Sequence, residues 1–207
     1  MKKTILIVLL ILIVGAVIYL YRTSPKSLNL NDSGDVAMNQ DNVEALPTIE
    51  VEDLKMGGSS YGDASGIYSF LYPSEYVLDD SDKLHIRVYK TGPTQTGQTE
   101  MYDGAIVVFE VLDLNGKSLS DWVDTNISNI TADGTSELIE AKKQVTLNDY
   151  PGFTYATRGL GEASNYVFQK DSNSDNAVLI TTLVSDPGNL GFQQEVDKII
   201  STVEIFK

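Results

Sequence analysis

The side chains of this chain that can do chemistry are few, and most lie in short acidic turns. Asp171, Asn173 and Asp175 set oxygen donors at alternate positions, which is how a calcium-binding loop of the helix–loop–helix kind begins. Such a loop then requires glycine at its sixth position and a bidentate acid at its twelfth, where this chain has Asn176 and Thr182. Val178–Leu183 also reads as strand and not as helix. A hairpin turn rich in Asp and Asn accounts for the same residues, leaving Asp171, Asn173 and Asp175 as candidate metal ligands without a complete loop. Asp79, Asp80 and Asp82 are a second acidic group. Glycoside hydrolysis needs two carboxyls converging on a cleft from separate elements, and acids clustered beside a turn are ordinarily solvated. The single histidine, His85, shares one side of an alternating segment with Arg87 and Tyr89. One histidine and no cysteine leave zinc short of ligands. No Gly-x-Ser-x-Gly elbow activates a serine, and no glycine loop cradles a phosphate. Asn126-Ile127-Ser128 and Asn129-Ile130-Thr131 match the glycosylation sequon, but on a predicted helix. No catalytic residue and no cofactor is expected.

The elements that must position these residues begin near Gly66. Ile67–Tyr72 is a short strand-like run closed by Pro73. In Leu84–Tyr89 the apolar residues Leu84, Ile86 and Val88 alternate with polar ones. Ala105–Leu112 is apolar on both faces except at Glu110, the pattern of a central strand covered on each side. Lys143–Leu147, Gly152–Thr157, Asn165–Gln169, Ala177–Val184 and Thr202–Phe206 complete the set. The turns Asn148–Gly152 and Asp171–Asn176 between them imply antiparallel neighbours. Ser118-Leu119-Ser120-Asp121 resembles a capping box, after which Leu119, Trp122, Val123, Ile127 and Ile130 share one helical face. That stripe makes Trp122 a core anchor. A second helix carries Phe192, Val196, Ile199 and Ile200. The expected fold is α+β: an antiparallel β-sheet flanked by helices, an α/β/α sandwich, over residues 66–207.

The first 65 residues are of another kind. From Ile5 to Tyr21 seventeen residues are apolar except for Gly15, enough for a helix of about 26 Å, at the short end of what spans a bilayer core of about 30 Å. The run stays apolar through Val17–Tyr21, beyond the small residues Val14-Gly15-Ala16, so an uncleaved anchor over residues 1–22 fits better than a signal peptide. Lys2 and Lys3 favour a cytoplasmic N-terminus, leaving the remainder extracytoplasmic on a single-pass anchor in the cell membrane. Residues 23–65 are rich in Ser, Asn, Asp and Gly and lack a sustained period, as expected of a flexible acidic and polar linker. Beyond residue 26 stand 29 acidic and eleven basic residues, a net charge of −18. Such a field repels nucleic acid, and it disfavours anionic lipid head groups. The absence of cysteine excludes disulfides and a lipidated cysteine anchor.

The order of elements resembles the PsbP-like family. Tyr68-Ser69-Phe70-Leu71-Tyr72-Pro73-Ser74-Glu75-Tyr76 is similar to the family's first strand, with Tyr76 where tryptophan is usual. Leu119-Ser120-Asp121-Trp122-Val123 is similar to its helix after the central strand. Val145-Thr146-Leu147 through Pro151-Gly152-Phe153-Thr154-Tyr155 resembles its next hairpin, and Ile199–Phe206 its closing helix-to-strand junction. The resemblance covers about two-thirds of the chain. It implies a non-catalytic accessory role at a membrane protein assembly, with a protein partner; a module binding a small ligand or metal ion outside the cytoplasm is the alternative. Fold alone does not transfer function.

Overall fold

The computed structural model describes residues 44–45, 58–96 and 101–206. The expected anchor, residues 1–22, and most of the expected 23–65 linker lie outside the described residues. Among those described, no helix is long and apolar enough to cross a membrane.

Two sheets and two helices make up the α+β domain. In chain order the elements are β1 (Glu44–Ala45), β2 (Gly58–Gly62), β3 (Tyr68–Pro73), β4 (Val77–Asp79), β5 (Ile86–Thr91) and β6 (Gly104–Asp113). There follow α1 (Leu119–Thr131), β7 (Glu137–Leu147), β8 (Tyr150–Arg158), β9 (Glu162–Gln169), β10 (Asn176–Ser185), α2 (Phe192–Ser201) and β11 (Glu204–Ile205). The large sheet runs β1-β7-β8-β9-β10-β6-β5-β4, and the small one β11-β3-β2. All pairings are antiparallel except that of β1, which runs parallel to β7 through Glu44↔Val145 and Ala45↔Thr146. Gly58–Gly62, at the end of the stretch read as linker, forms β2 by pairing with β3. The folded region therefore begins before Gly66. Its Gly and Ser side chains carry no apolar period; backbone pairing, with the Tyr61 ring against Phe70, holds the strand.

Each face of the large sheet has its own core. On one, the alternating Tyr68, Phe70 and Tyr72 of β3 meet Val88, Val107, Phe109, Val178 and Ile180, with Phe192, Val196, Ile199 and Ile200 of α2. The rings are tightly layered: Phe70 and Phe109 stack at 4.0 Å between centroids, and Tyr68 and Phe109 at 5.6 Å. This side of the expected sandwich is thus built from a helix and a second small sheet, and not from a helix alone. On the opposite face α1 packs on β7, β8 and β9 through Leu119 and Val123, with Trp122 partly buried beside them. Ser118 caps α1 as the capping box requires, its Oγ accepting the Asp121 amide at 3.1 Å.

Turn chemistry sets the registers. Asn148 and Asp149 both have positive φ, 47° and 68°, which makes a tight hairpin between β7 and β8 whose twist matches the strands. The Asn148 amide also donates to the carbonyls of Ser201 and Val203, fastening this turn to the junction of α2 and β11. The N-terminus of α2 is capped from a distance. The Asp186 carboxylate accepts the amides of Leu190, Gly191 and Phe192 at 2.7, 2.8 and 3.2 Å, supplying acceptors that Gly191 lacks. These amides, the Leu190 bond foremost, hold the Asp186 carboxyl below its ordinary value of 3.8. A lowered folded-state value means that the contribution is complete above the unfolded value and fades as pH falls through the folded one. Asp186→Ala is therefore expected to lower the thermal midpoint at pH 7, with the gap from the parent narrowing once the pH drops below about 3.8. Thermal unfolding of both chains between pH 2.5 and about 7 measures this; a gap independent of pH would show that the carboxylate does not cap.

Candidate interaction face

The sheet face that carries α1 is covered unevenly: α1 packs mainly on β7–β9, and its core takes in β6 and β10 only at their Leu112 and Ala177–Leu179 ends. Strand pairing puts one row of residues across that open half. Val77 pairs with Tyr89, Tyr89 with Ile106, Ile106 with Leu183, and Leu183 with Ala163. Cross-strand partners share a face, so these five side chains form a continuous apolar line, roughly 19 Å long at strand spacing. Val77 is 50% exposed, and Tyr89, Ile106, Leu183 and Ala163 are half-buried. The next row holds Asp79, Arg87, Val108, Thr181 and Asn165. Its polar members are paired with one another: Arg87 donates to Asp79 at 2.8 Å, and the Thr181 hydroxyl to the Asn165 amide oxygen at 3.0 Å. The strip is thus apolar and bordered by satisfied polar groups.

β6 is an interior strand, as expected, but its second face is covered only in part. Val107 and Phe109 are enclosed, but Ile106, Val108 and Glu110 on the other side are only half-buried. The helix following β6 in sequence rests on β7–β9, on the far side of β10 in the sheet order. The doubly apolar pattern marks the strand, but not how far its second face is covered.

The other chemistry-bearing residues have structural partners. Asp79, Asp80 and Asp82 lie at the turn between β4 and β5 and do not converge: Asp80 pairs with Lys83 at 2.7 Å, and Asp82 with the His85 Nδ1 at 2.8 Å. His85 lies just before β5, exposed, its Nε2 3.8 Å from Glu110. The Asp82 hydrogen bond raises the His85 pKa above its ordinary value, with Glu110 adding to it. Lys90 is held between the Tyr76 and Phe192 rings, 5.6 Å from each, and donates to Glu195 at 2.9 Å. Tyr76 donates to the same carboxylate at 3.0 Å, and burial pushes its phenol far up. This cluster clamps α2 to β5.

Asp171, Asn173 and Asp175 are brought to the β9–β10 turn. There Asp171 Oδ1 accepts the Asn173 amide at 2.9 Å, and the Asp171 carbonyl accepts from Gln169 Nε2 at 2.7 Å. Among the described residues no group of three or more acidic, histidine or cysteine side chains is arranged to hold a metal ion. A shallow cleft of about 240 Å³ opens at one end of the apolar row, lined by Met101, Gly161, Glu162, Leu183, Val184 and Ser185. It lies below the usual range of about 300–1,000 Å³ for small-molecule sites.

No protein-family model and no curated protein matches the chain. Among solved structures it is similar to cyanobacterial PsbP (CyanoP) of Synechocystis, at 10% identity and a TM-score of 0.46 over 72% of this chain and 93% of that one. It is similar as well to the yeast Ran-binding protein Mog1p, at 9% identity and a TM-score of 0.48 over 72% and 95% of the two chains. A protein of Bacteroides thetaiotaomicron matches at 11% identity and a TM-score of 0.44, over 73% of this chain and half of its own length.

Proposed function

We propose that the chain is a non-catalytic module, anchored in the cell membrane by residues 1–22, whose extracytoplasmic domain docks a protein of an envelope assembly through the open half of its large sheet. The observation that carries this reading is the apolar row Val77–Tyr89–Ile106–Leu183, which the domain's own helix leaves uncovered. The seventeen-residue apolar run supports the anchor, and the surplus of acidic over basic residues argues against a nucleic-acid partner.

Ile106→Asp is the discriminating variant. Its side chain is half-buried on the open side, and a carboxylate there would have no partner in a desolvated contact. Recovery of the partner with the full chain, cross-linked in gently solubilised membranes, should fall by roughly tenfold or more. Circular dichroism and the unfolding midpoint should stay near those of the parent. Equal recovery by the folded variant would remove this face from the function. The module binding a small ligand has the cleft at Met101 and Leu183 as its place, and its size counts against that reading.

A further inference from the structure

The connection from β6 to α1 holds Asn115-Gly116, the sole Asn-Gly step in the sequence. An asparagine side-chain amide is open to attack by the backbone nitrogen of the next residue, and glycine has no Cβ to hinder the approach. Local structure decides which asparagines react. Asn115, Asn148, Asn173 and Asn189 are all exposed in turns or loops. After Asn173 the Ser174 amide donates to the Asp171 carbonyl at 3.1 Å, and after Asn189 the Leu190 amide donates to Asp186 at 2.7 Å. At Asn148 the side-chain amide itself is tied, donating to the carbonyls of Ser201 and Val203. Asn115 is different. Among the described residues the Gly116 amide donates to no group, and a side chain at Gly116 would meet nothing within 4 Å. The Asn115 side-chain amide makes one bond, to the Asp113 carbonyl at 3.1 Å, in an exposed position.

The chain is fixed on both sides of this step. Leu114 is buried, and its amide donates to the Asp175 carbonyl at 2.8 Å; Leu119, the first residue of α1, is buried as well. Between them Asn115 and Gly116 take positive φ, 52° and 74°, and the Lys117 amide closes the turn on the Leu114 carbonyl at 3.0 Å. Ser118 then caps the helix. The seating of α1 on the sheet thus depends on a short connection of fixed length and left-handed conformation.

We infer that Asn115 is a site of spontaneous deamidation whose isoaspartyl product loosens α1 from the sheet. The Gly116 nitrogen, having given its proton to solvent hydroxide, attacks Asn115 Cγ. An N–Cγ bond forms, the Cγ–Nδ2 bond breaks, and Nδ2 leaves as ammonia, taking a proton from water. Water then opens the cyclic imide. Cleavage of the new N–Cγ bond gives aspartate on an unchanged backbone. Cleavage at the main-chain carbonyl gives isoaspartate, whose chain runs through Cβ and is one carbon longer. The two products differ in their effect. Aspartate keeps the turn and adds only a negative charge on the N-terminal side of α1, where the helix dipole accepts it. Isoaspartate lengthens the link between Leu114 and Leu119 and abolishes the turn at 115. None of this depends on the docking face or on the anchor.

The full-length chain is incubated at neutral and at alkaline pH, folded and in urea, and mapped by peptide mass spectrometry. The expected result is a gain of one mass unit at Asn115 that quickens with pH, since the attacking amide must lose its proton. Folding should leave the rate at Asn115 within severalfold of that in urea, while slowing Asn173 and Asn189 by a much larger factor, because their following amides are engaged. Protection of Asn115 in the folded chain as strong as at those two positions would overturn the site. Asn115→Gly keeps the positive φ and removes the carboxamide, so it is the control for the consequence. Amide exchange at Val123 of α1 should be severalfold faster in the isoaspartyl fraction of the aged chain than in Asn115→Gly aged alike, with exchange at Val107 and Val178 of the sheet unchanged. Asn115→Asp should exchange as the fresh parent does. Equal exchange at Val123 in the isoaspartyl fraction and the control would overturn the loosening of α1.

Discussion

Phe109→Ala is expected to lower the unfolding free energy by about 3–5 kcal/mol, the range for deleting a buried phenylalanine ring. Phe109 is 0% exposed at the centre of β6 and stacks on Phe70 at 4.0 Å. It is the ring through which β3 of the small sheet grips the large one, with Tyr68 on it at 5.6 Å. Truncation removes the transfer energy of the ring and also leaves a void between two sheets whose backbones are fixed by their own ladders, so collapse cannot fill it. Phe109→Leu, which keeps most of the volume, should cost markedly less. Urea unfolding followed by circular dichroism reads both. A loss below about 1 kcal/mol for the alanine variant would mean that the ring is not enclosed as described.

Gly152→Ala should be nearly as damaging, although it adds only a methyl group. A Cβ at Gly152 would lie 2.3 Å from the Phe168 ring and 2.5 Å from the Val167 carbonyl oxygen. The ring has some freedom to turn. The carbonyl belongs to β9, paired to both β8 and β10, and has none. Overpacking of this kind typically costs about 1–3 kcal/mol, and the fixed carbonyl puts this position at the upper end. Gly62→Ala is the matched control, since a Cβ there meets nothing within 4 Å, and it should be neutral to within about 0.5 kcal/mol. Amide exchange at Val167 and Phe168 should accelerate in the first variant and not in the second. Similar midpoints for the two would refute the collision.

Alternation made the core strands legible. Ile86 and Val88 against Arg87 and Tyr89, and the apolar stripe of α2, place themselves from sequence because a buried face repeats with the period of its element; Leu84, which the same alternation adds, lies before β5 and is 71% exposed. The sequence pattern marks β7 only from Lys143, whereas it begins at Glu137. Its register shifts near Glu140 and Lys143 break the period of two, and its first half is largely exposed, so no apolar face advertises it. The capping by Asp186 was hidden for a different reason: its carboxylate reaches amides four to six residues ahead, outside the usual capping spacing. The candidate face was not legible at all. The pattern shows that β6 is apolar on two sides, but only the spatial order of strands, in which β10 and not β7 lies beside β6, leaves Ile106 half-buried on the side that carries α1.

The small sheet has a consequence for how the molecule is made. β3 is closed on one edge by β11, where Tyr68 pairs with Ile205, and the Phe206 amide reaches back to the Ile67 carbonyl. The first aromatic strand of the core therefore waits, during synthesis, for a segment more than a hundred residues downstream. Contacts of such long sequence separation delay folding until nearly the whole domain has left the ribosome. The two edges of the core are thus joined last, when the segment carrying Ile205 has been made.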